Sequence, residues 1–142
     1  MKIKKQVMEM ILLGTMFMTG CGASKIEDLP EEAVPIEVGT FSKSIASQTE
    51  YVSIQYNNRE YVPYGMQKGR IEEEMIKECF GHDVQDTNGR YYSLADTDDY
   101  IASYNIYAEM DQFSFYRAVD TMGKEIYTPD YVDSLGYDIW EE

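Results

Sequence analysis

Apolar and polar residues alternate in short runs along much of the chain after residue 50. Alternation with a period of two is the pattern of a strand that buries one face. The runs 51–56 and 59–64 are separated by Asn57-Asn58, a turn candidate, so we predict a strand and its return strand. Pro63 cannot donate a hydrogen bond to a neighbouring strand, and we therefore expect the second strand at a sheet edge.

The middle of the chain continues the strand pattern after one ambiguous stretch. In residues 71–80, apolar residues fit one face of a helix, but a strand is also compatible, and we favour a helical turn followed by a strand. Asn88-Gly89 stands before an apolar run and predicts a hairpin turn. The runs 100–107 and 113–119 are rich in aromatic and β-branched residues, which favour strands.

A helix start is indicated near the C-terminus, where Pro129 follows Thr128 and Gly136 would end the helix. We therefore expect a short helix over 129–135. Together the patterns predict a mainly β fold of the β-rich α+β class. The expected architecture is a small, curled antiparallel sheet, barrel-like or sandwich-like, with a short C-terminal helix.

The first twenty residues follow a different pattern. Three lysines precede the apolar run 10–18, and Gly20 follows it. A basic start, a short apolar middle and a small residue before a cut are typical of an export signal. Nine residues extend only ~14 Å as a helix, whereas the hydrocarbon core is ~30 Å thick. The run is therefore predicted to be a removable signal, not a spanning anchor.

Thr19-Gly20-Cys21 resembles the lipobox of bacterial lipoproteins, although Met18 stands where leucine is commoner. The resemblance implies a diacylglyceryl group, with fatty acyl chains such as palmitate, on the sulfur of Cys21, and cleavage after Gly20. It also implies a lipoprotein of the Gram-positive type on the extracytoplasmic face of the cell membrane. Two acyl chains give stable anchoring where one would be marginal.

A change in composition near residue 50 suggests a domain boundary. Residues 21–50 contain two prolines, scattered acids and small polar residues, while all thirteen tyrosines follow residue 50. We predict a signal peptide over 1–20, a flexible acidic tether over 21–50 and one β-rich domain over 51–142. As a coil, such a tether would span about 30 Å. An edge strand within it, formed by apolar residues between Val34 and Phe41, remains an alternative.

The charge of the chain limits its partners. The formal net charge is −14, and because residues 1–20 contribute +2, the remainder carries −16. Binding to nucleic acid needs a basic surface, so that class of function is excluded. An acidic surface attracts cations, and we expect an unknown protein or peptide ligand that is basic.

Candidate chemical sites are few. The cluster Asp96, Asp98 and Asp99 begins like a calcium-binding loop, but Tyr100, Ile101 and Tyr107 stand where such a loop needs an acid, a glycine and a glutamate. We interpret the cluster as a solvated hairpin loop, with a weak metal site left open.

The two cysteines differ in their expected roles. With Cys21 acylated, Cys79 has no partner for an intrachain disulfide. Its apolar neighbours favour a buried thiol, not a nucleophile.

Six tyrosines crowd the central strands, and they fit either a core or an exposed aromatic face: Tyr91, Tyr92, Tyr100, Tyr104, Tyr107 and Tyr116. The sequence contains none of the hydrolase motifs Gly-x-Ser-x-Gly or His-Glu-x-x-His, and His82 is the single histidine. We expect a binding or interaction module without a cofactor, and not an enzyme. The alternatives are immunity-like capture of cationic peptides or toxins, and a small hydrolase of unrecognised type.

Overall fold

Nine strands and three short 3-10 helices form the described part of the chain, residues 24–42, 49–109 and 112–141, in a computed structural model. The strands are β1 Val34–Ile36, β2 Gly39–Phe41, β3 Tyr51–Tyr56, β4 Arg59–Gln67, β5 Ile76–Asp83, β6 Gly89–Leu94, β7 Tyr100–Asn105, β8 Ser114–Ala118 and β9 Val132–Ser134. The 3-10 helices are Glu73–Met75, Val119–Thr121 and Asp138–Trp140. The prediction of a mainly β fold with a curled sheet is confirmed.

The strands form one sheet, and its two edge strands are joined by a short connection. The order is β1-β5-β6-β7-β8-β4-β3-β2, with β9 also paired to β4. The β1–β5 pair is parallel, and the other pairs are antiparallel. The edge strands β1 and β2 are consecutive, so the Cα atoms of Ile36 and Gly39 lie at most about 11 Å apart. The sheet must therefore curl into a half-barrel.

The concave side of the sheet holds a cluster that we call the inner core. Tyr56 on β3 and Phe80 on β5 stack with ring centroids 3.7 Å apart, although five strand-to-strand steps separate β3 from β5 in the sheet. This contact across the barrel shows how strongly the sheet curls. The buried members of the inner core are Ile36, Ile54, Tyr61, Tyr91, Ile101 and Ala118.

The convex side carries a second cluster, the outer core. Successive residues of one strand alternate between the two clusters, since Tyr91 lies in the inner core and Tyr92 in the outer core. Ile26, from the segment before β1, and Ile126, from the segment between β8 and β9, pack against the outer core. The buried members of the outer core are Ile76, Cys79, Tyr92, Leu94, Tyr100, Ala102, Phe113, Phe115, Tyr131 and Val132.

The turns confirm much of the predicted strand order. Asn57 and Asn58 have φ angles of 54° and 64°, so both adopt the left-handed conformation that tight hairpin turns need. Residues 71–80 contain a 3-10 helix followed by β5, as predicted. The hairpin at Asn88-Gly89 joins β5 to β6.

The prediction of a flexible tether over 21–50 is wrong for residues 24–42. β1 pairs with β5 and β2 pairs with β3, so this segment supplies both edges of the sheet. The folded unit therefore begins before residue 51, and the alternative of an edge strand is correct. The low hydrophobicity of residues 21–50 led to the wrong prediction. Only a few buried side chains from this segment are needed to close the barrel. Ile36 is the main one and is 8% exposed.

Pro63 does not lie at a sheet edge, contrary to the prediction. One side of β4 pairs with β8, and the other side pairs first with β3 and then with β9. The β3 pairing ends at Tyr61 and the β9 pairing begins at Gly65, so Pro63 lies in the gap between them. The missing amide hydrogen therefore removes no ladder bond on that side. The Pro63 carbonyl accepts a 2.7 Å hydrogen bond from the Trp140 ring nitrogen.

The predicted helix over 129–135 is also wrong. Its centre is strand β9, and the short C-terminal helix is instead the 3-10 helix Asp138–Trp140. The deciding feature is Gly65 on β4, where a Cβ atom would overlap the Asp133 carbonyl oxygen. Because Gly65 has no side chain, the backbone of β9 can approach β4 and pair with it.

Truncation of Ile36 is expected to destabilise the fold. Ile36→Ala leaves a cavity where β1 closes the inner core, so the free energy of unfolding should fall by about 2–4 kcal/mol in urea denaturation. Val38→Ala is the matched control, since Val38 is 45% exposed, and it should cost less than about 0.5 kcal/mol. Equal, small effects of the two changes would show that β1 does not close the barrel.

Candidate functional site

A broad depression of about 820 Å³ lies at one end of the half-barrel. It is lined by the β6–β7 loop at 95–99, by the first residues of β4 and β5, and by Lys25 and Tyr127 from the segments before β1 and β9. Its charged and hydroxyl-bearing residues are Lys25, Arg59, Lys77, Asp96, Thr97, Asp98, Asp99 and Tyr127. The acidic cluster that the sequence singled out therefore lies in this depression.

Arg59 organises this end of the barrel. Its Nη2 atom lies 2.9 Å from Asp99 Oδ1 and 2.6 Å from Asp120 Oδ1, and its Nε donates to Asp120 Oδ2 at 3.1 Å. The hydrogen bond from Arg59 lowers the pKa of Asp120, and the same bond is the largest cause that raises the pKa of Arg59. One guanidinium thus joins the start of β4 to the β6–β7 loop and to the 3-10 helix Val119–Thr121.

The backbone of the acidic loop is held from inside the barrel. Arg59 Nη1 donates to the Asp98 carbonyl at 2.8 Å, and the Tyr61 hydroxyl donates to the same oxygen at 2.7 Å. Tyr61 is 2% exposed and belongs to the inner core. Burial raises the pKa of Tyr61, so its hydroxyl keeps the proton that it donates. The position of the loop is therefore set by core packing.

Asp96 is held by two tyrosines from a distant part of the chain. Its carboxylate accepts hydrogen bonds from the Tyr127 hydroxyl at 2.8 Å and from the Tyr131 hydroxyl at 2.9 Å. Tyr131 is buried in the outer core, and burial, followed by the bond to Asp96, raises its pKa. Tyr127 is 59% exposed, so most of its ring remains open to solvent.

The structure does not bring Asp96, Asp98 and Asp99 together as metal ligands. The Asp96 carboxylate is bound to tyrosines, and the Asp99 carboxylate is bound to Arg59. Within residues 24–42, 49–109 and 112–141, no group of three or more His, Cys, Asp and Glu side chains has a geometry suited to a metal ion. The arrangement instead presents fixed carboxylates on an open surface.

The remaining polar candidates have structural positions. Cys79 is 3% exposed, its Sγ lies 3.4 Å from the Gly81 carbonyl, and burial raises its pKa, which confirms the prediction of a buried thiol. His82 lies on β5, with Nδ1 2.9 Å from the Asp83 carbonyl oxygen. Cys21, the predicted site of lipid attachment, lies outside the described residues.

Most of the six central tyrosines belong to the cores and not to an exposed aromatic face. Burial raises the pKa of Tyr91 and of Tyr100 to about 12. Tyr104 stacks on Phe113 with ring centroids 4.5 Å apart. Tyr107 is the exception, with 76% of its surface exposed. Cross-strand packing therefore accounts for most of the tyrosine content.

Sequence reasoning missed Arg59, Tyr127 and Tyr131. Arg59 and Asp120 are 61 positions apart, and Tyr131 and Asp96 are 35 apart. No local spacing predicts such pairs, because the sheet brings them together. The one available signal was a lone arginine directly after the Asn57-Asn58 turn.

Comparison of the chain with protein-family models, with curated proteins and with solved structures finds no match. In the part of the chain that the structure describes, no helix has the length and apolar character required to cross a membrane. A fold alone does not determine function. The functional assignment therefore depends on the N-terminal motif and on the chemistry of the depression.

Removal of Arg59 is expected to shift the titration of Asp120. In Arg59→Gln, the pKa of Asp120 should rise towards its ordinary value of 3.8, as measured by carbon NMR titration of the carboxyl group. Because the pKa is lowered in the folded protein, the stability that this pair contributes is present above 3.8 and is lost as the pH falls further. Asp99→Asn is the control, since it keeps the Arg59–Asp120 pair, and an unshifted pKa in Arg59→Gln would contradict the proposed role of Arg59.

Proposed function

We propose that the protein is a lipoprotein anchored through Cys21 to the extracytoplasmic face of the cell membrane, where its β domain binds a basic segment of another protein or peptide. The anchor is supported by the basic start, the short apolar run and the Thr19-Gly20-Cys21 motif. The acylated sulfur would carry two chains, which suffice for stable attachment.

The observation that carries the binding role is the fixed arrangement of carboxylates in the depression. Asp96 is held by Tyr127 and Tyr131, and Asp99 is held by Arg59. Carboxylates that are already oriented lose little entropy when a cationic group binds. The exposed ring of Tyr127 adds an aromatic face on which a lysine or arginine side chain can stack.

The whole chain and the depression contribute differently to recognition. A net charge of −16 after residue 20 attracts a basic ligand from a distance. The lining itself is mixed, since Lys25, Arg59 and Lys77 share it with the three aspartates. The net negative charge of the protein therefore increases the rate of association with a basic ligand. The arrangement of positive and negative side chains in the depression determines which ligand binds.

Thiol-based hydrolysis is disfavoured by the position of Cys79. A nucleophilic cysteine needs an exposed thiolate, whereas Cys79 is buried in the outer core and burial raises its pKa. The binding role requires no such group.

If the anchor is at Cys21, substitution of this residue should abolish membrane attachment. Cys21→Ala should move the protein from the membrane fraction to the soluble fraction, and mass spectrometry of the native protein should find the diacylglyceryl group on Cys21. Cys79→Ala is the matched control and should remain in the membrane fraction. If Cys21→Ala remains equally membrane-bound, the anchor is not at Cys21.

The depression predicts a ligand whose binding depends on two carboxylates. Full-length protein should capture a basic protein or peptide from envelope extracts at physiological salt. Asp96→Asn with Asp99→Asn, which removes the two held carboxylates, should weaken that binding at least tenfold, or about 1.4 kcal/mol. Asp133→Asn with Asp138→Asn removes the same charge at exposed positions outside the depression and should have a much smaller effect.

The two pairs of substitutions separate selective from general attraction. If both pairs weaken binding equally, only the overall charge matters and the depression is not the binding site. A captured ligand that is a free cationic peptide would indicate protection of the cell, whereas a captured envelope protein would indicate an assembly role.

A further inference from the structure

The segment that leads into β1 is fixed to the folded domain from Ser24 onwards. The Lys25 amide donates to Glu73 Oε1 at 2.9 Å, and the Lys25 side chain donates to the Ile76 carbonyl at 3.4 Å. Ile26 packs against the outer core. These contacts join the segment to the start of β5, far along the chain.

Two hydrogen bonds from buried groups hold the same segment. The Tyr92 hydroxyl donates to the Ile26 carbonyl at 2.6 Å, and Arg90 Nη1 donates to the Glu27 carbonyl at 2.8 Å. Tyr92 is 0% exposed and Arg90 is 6% exposed. Release of the segment would leave two buried donors without their acceptors, which is unfavourable. The segment is therefore a stable part of the domain.

Covalent geometry then limits the distance from the domain to a lipid on Cys21. Cys21 precedes Ser24 by three residues, and three residues reach at most about 11 Å even when fully extended. A free tether up to residue 50 would instead have spanned about 30 Å.

We propose that the anchor holds the domain directly against the bilayer, with the face around Ser24 turned towards the phosphate headgroups. The proposal depends on the proposed acylation of Cys21. Lys25 and Lys77 are exposed cations on this face, but Glu73 and Glu74 are exposed there as well. The attachment is therefore covalent and not electrostatic, and high salt should not release the face from the membrane.

The position of the domain against the bilayer indicates where its ligand is located. Lys25 and Lys77 both line the candidate depression, so the depression opens beside the headgroups. The basic segment that it binds is then one presented close to the bilayer, such as a segment that adjoins a membrane anchor.

Site-directed labels can test which face contacts the membrane. The acylated full-length protein, in vesicles of phosphatidylglycerol and phosphatidylethanolamine, receives a spin label at Lys77→Cys or at Leu135→Cys. Leu135 donates to the Tyr64 carbonyl of β4, which lies four strands from β5 on the eight-strand path and thus on the opposite side of the barrel. The buried Cys79 does not compete for the label.

A nickel-chelating lipid in the vesicles reports proximity by relaxing the label. We expect relaxation at position 77 to be several-fold greater than at position 135, in both low and high salt. Insertion of twenty Gly and Ser residues between Ala23 and Ser24 adds a flexible span of about 25 Å and should lower the value at 77 to that at 135.

Equal relaxation of the two labels without the insertion, or no effect of the insertion, would overturn the proposal. Mass spectrometry of Cys21 and vesicle flotation are measured first on the same samples. Failure of acylation or flotation would refute the anchor itself, and with it the proposal. Acylated, floating protein with equal relaxation would refute the orientation alone.

Discussion

Closure of the sheet by β1 and β2 is the constraint on which the rest of the structure depends. Strand β1 pairs with β5, β2 pairs with β3, and only two residues separate them. This short connection forces the two edges together and places Ile36 in the inner core. The contact is close enough that a Cβ atom at Gly81 would lie 2.5 Å from Ile36 Cγ1. Without β1 and β2, the backbone groups along the outer sides of β5 and β3 would be unpaired.

The candidate site depends on the neighbouring strands β4, β8 and β7. Their order brings Arg59, at the start of β4, to the β6–β7 loop and to the 3-10 helix after β8, where it pairs with Asp99 and Asp120. Tyr61 connects the inner core to the acidic loop. Its ring packs in the inner core, and its hydroxyl donates a hydrogen bond to the Asp98 carbonyl. The carboxylates of the depression are therefore positioned by hydrophobic packing several residues away.

The sequence predicted β3 and β4 from alternating residues around a turn, and β7 and β8 from their aromatic and β-branched residues. It failed where backbone proximity decided the structure. Pro63 fits inside the sheet because two partner strands meet beside it, and 132–134 forms a strand because Gly65 admits its backbone. The acidic loop was predicted as a hairpin loop, but its partners were not, because their separation along the chain exceeds any local pattern.

Amide hydrogen exchange measures the central claim, that residues 34–41 are part of the cooperative fold. The account predicts that the hydrogen-bonded amides of β1 and β2 exchange as slowly as those of β3 and β5, through global unfolding. Exchange of β1 and β2 at unprotected rates, while β5 to β8 remain protected, would show an open sheet with a free N-terminal segment and would contradict the account.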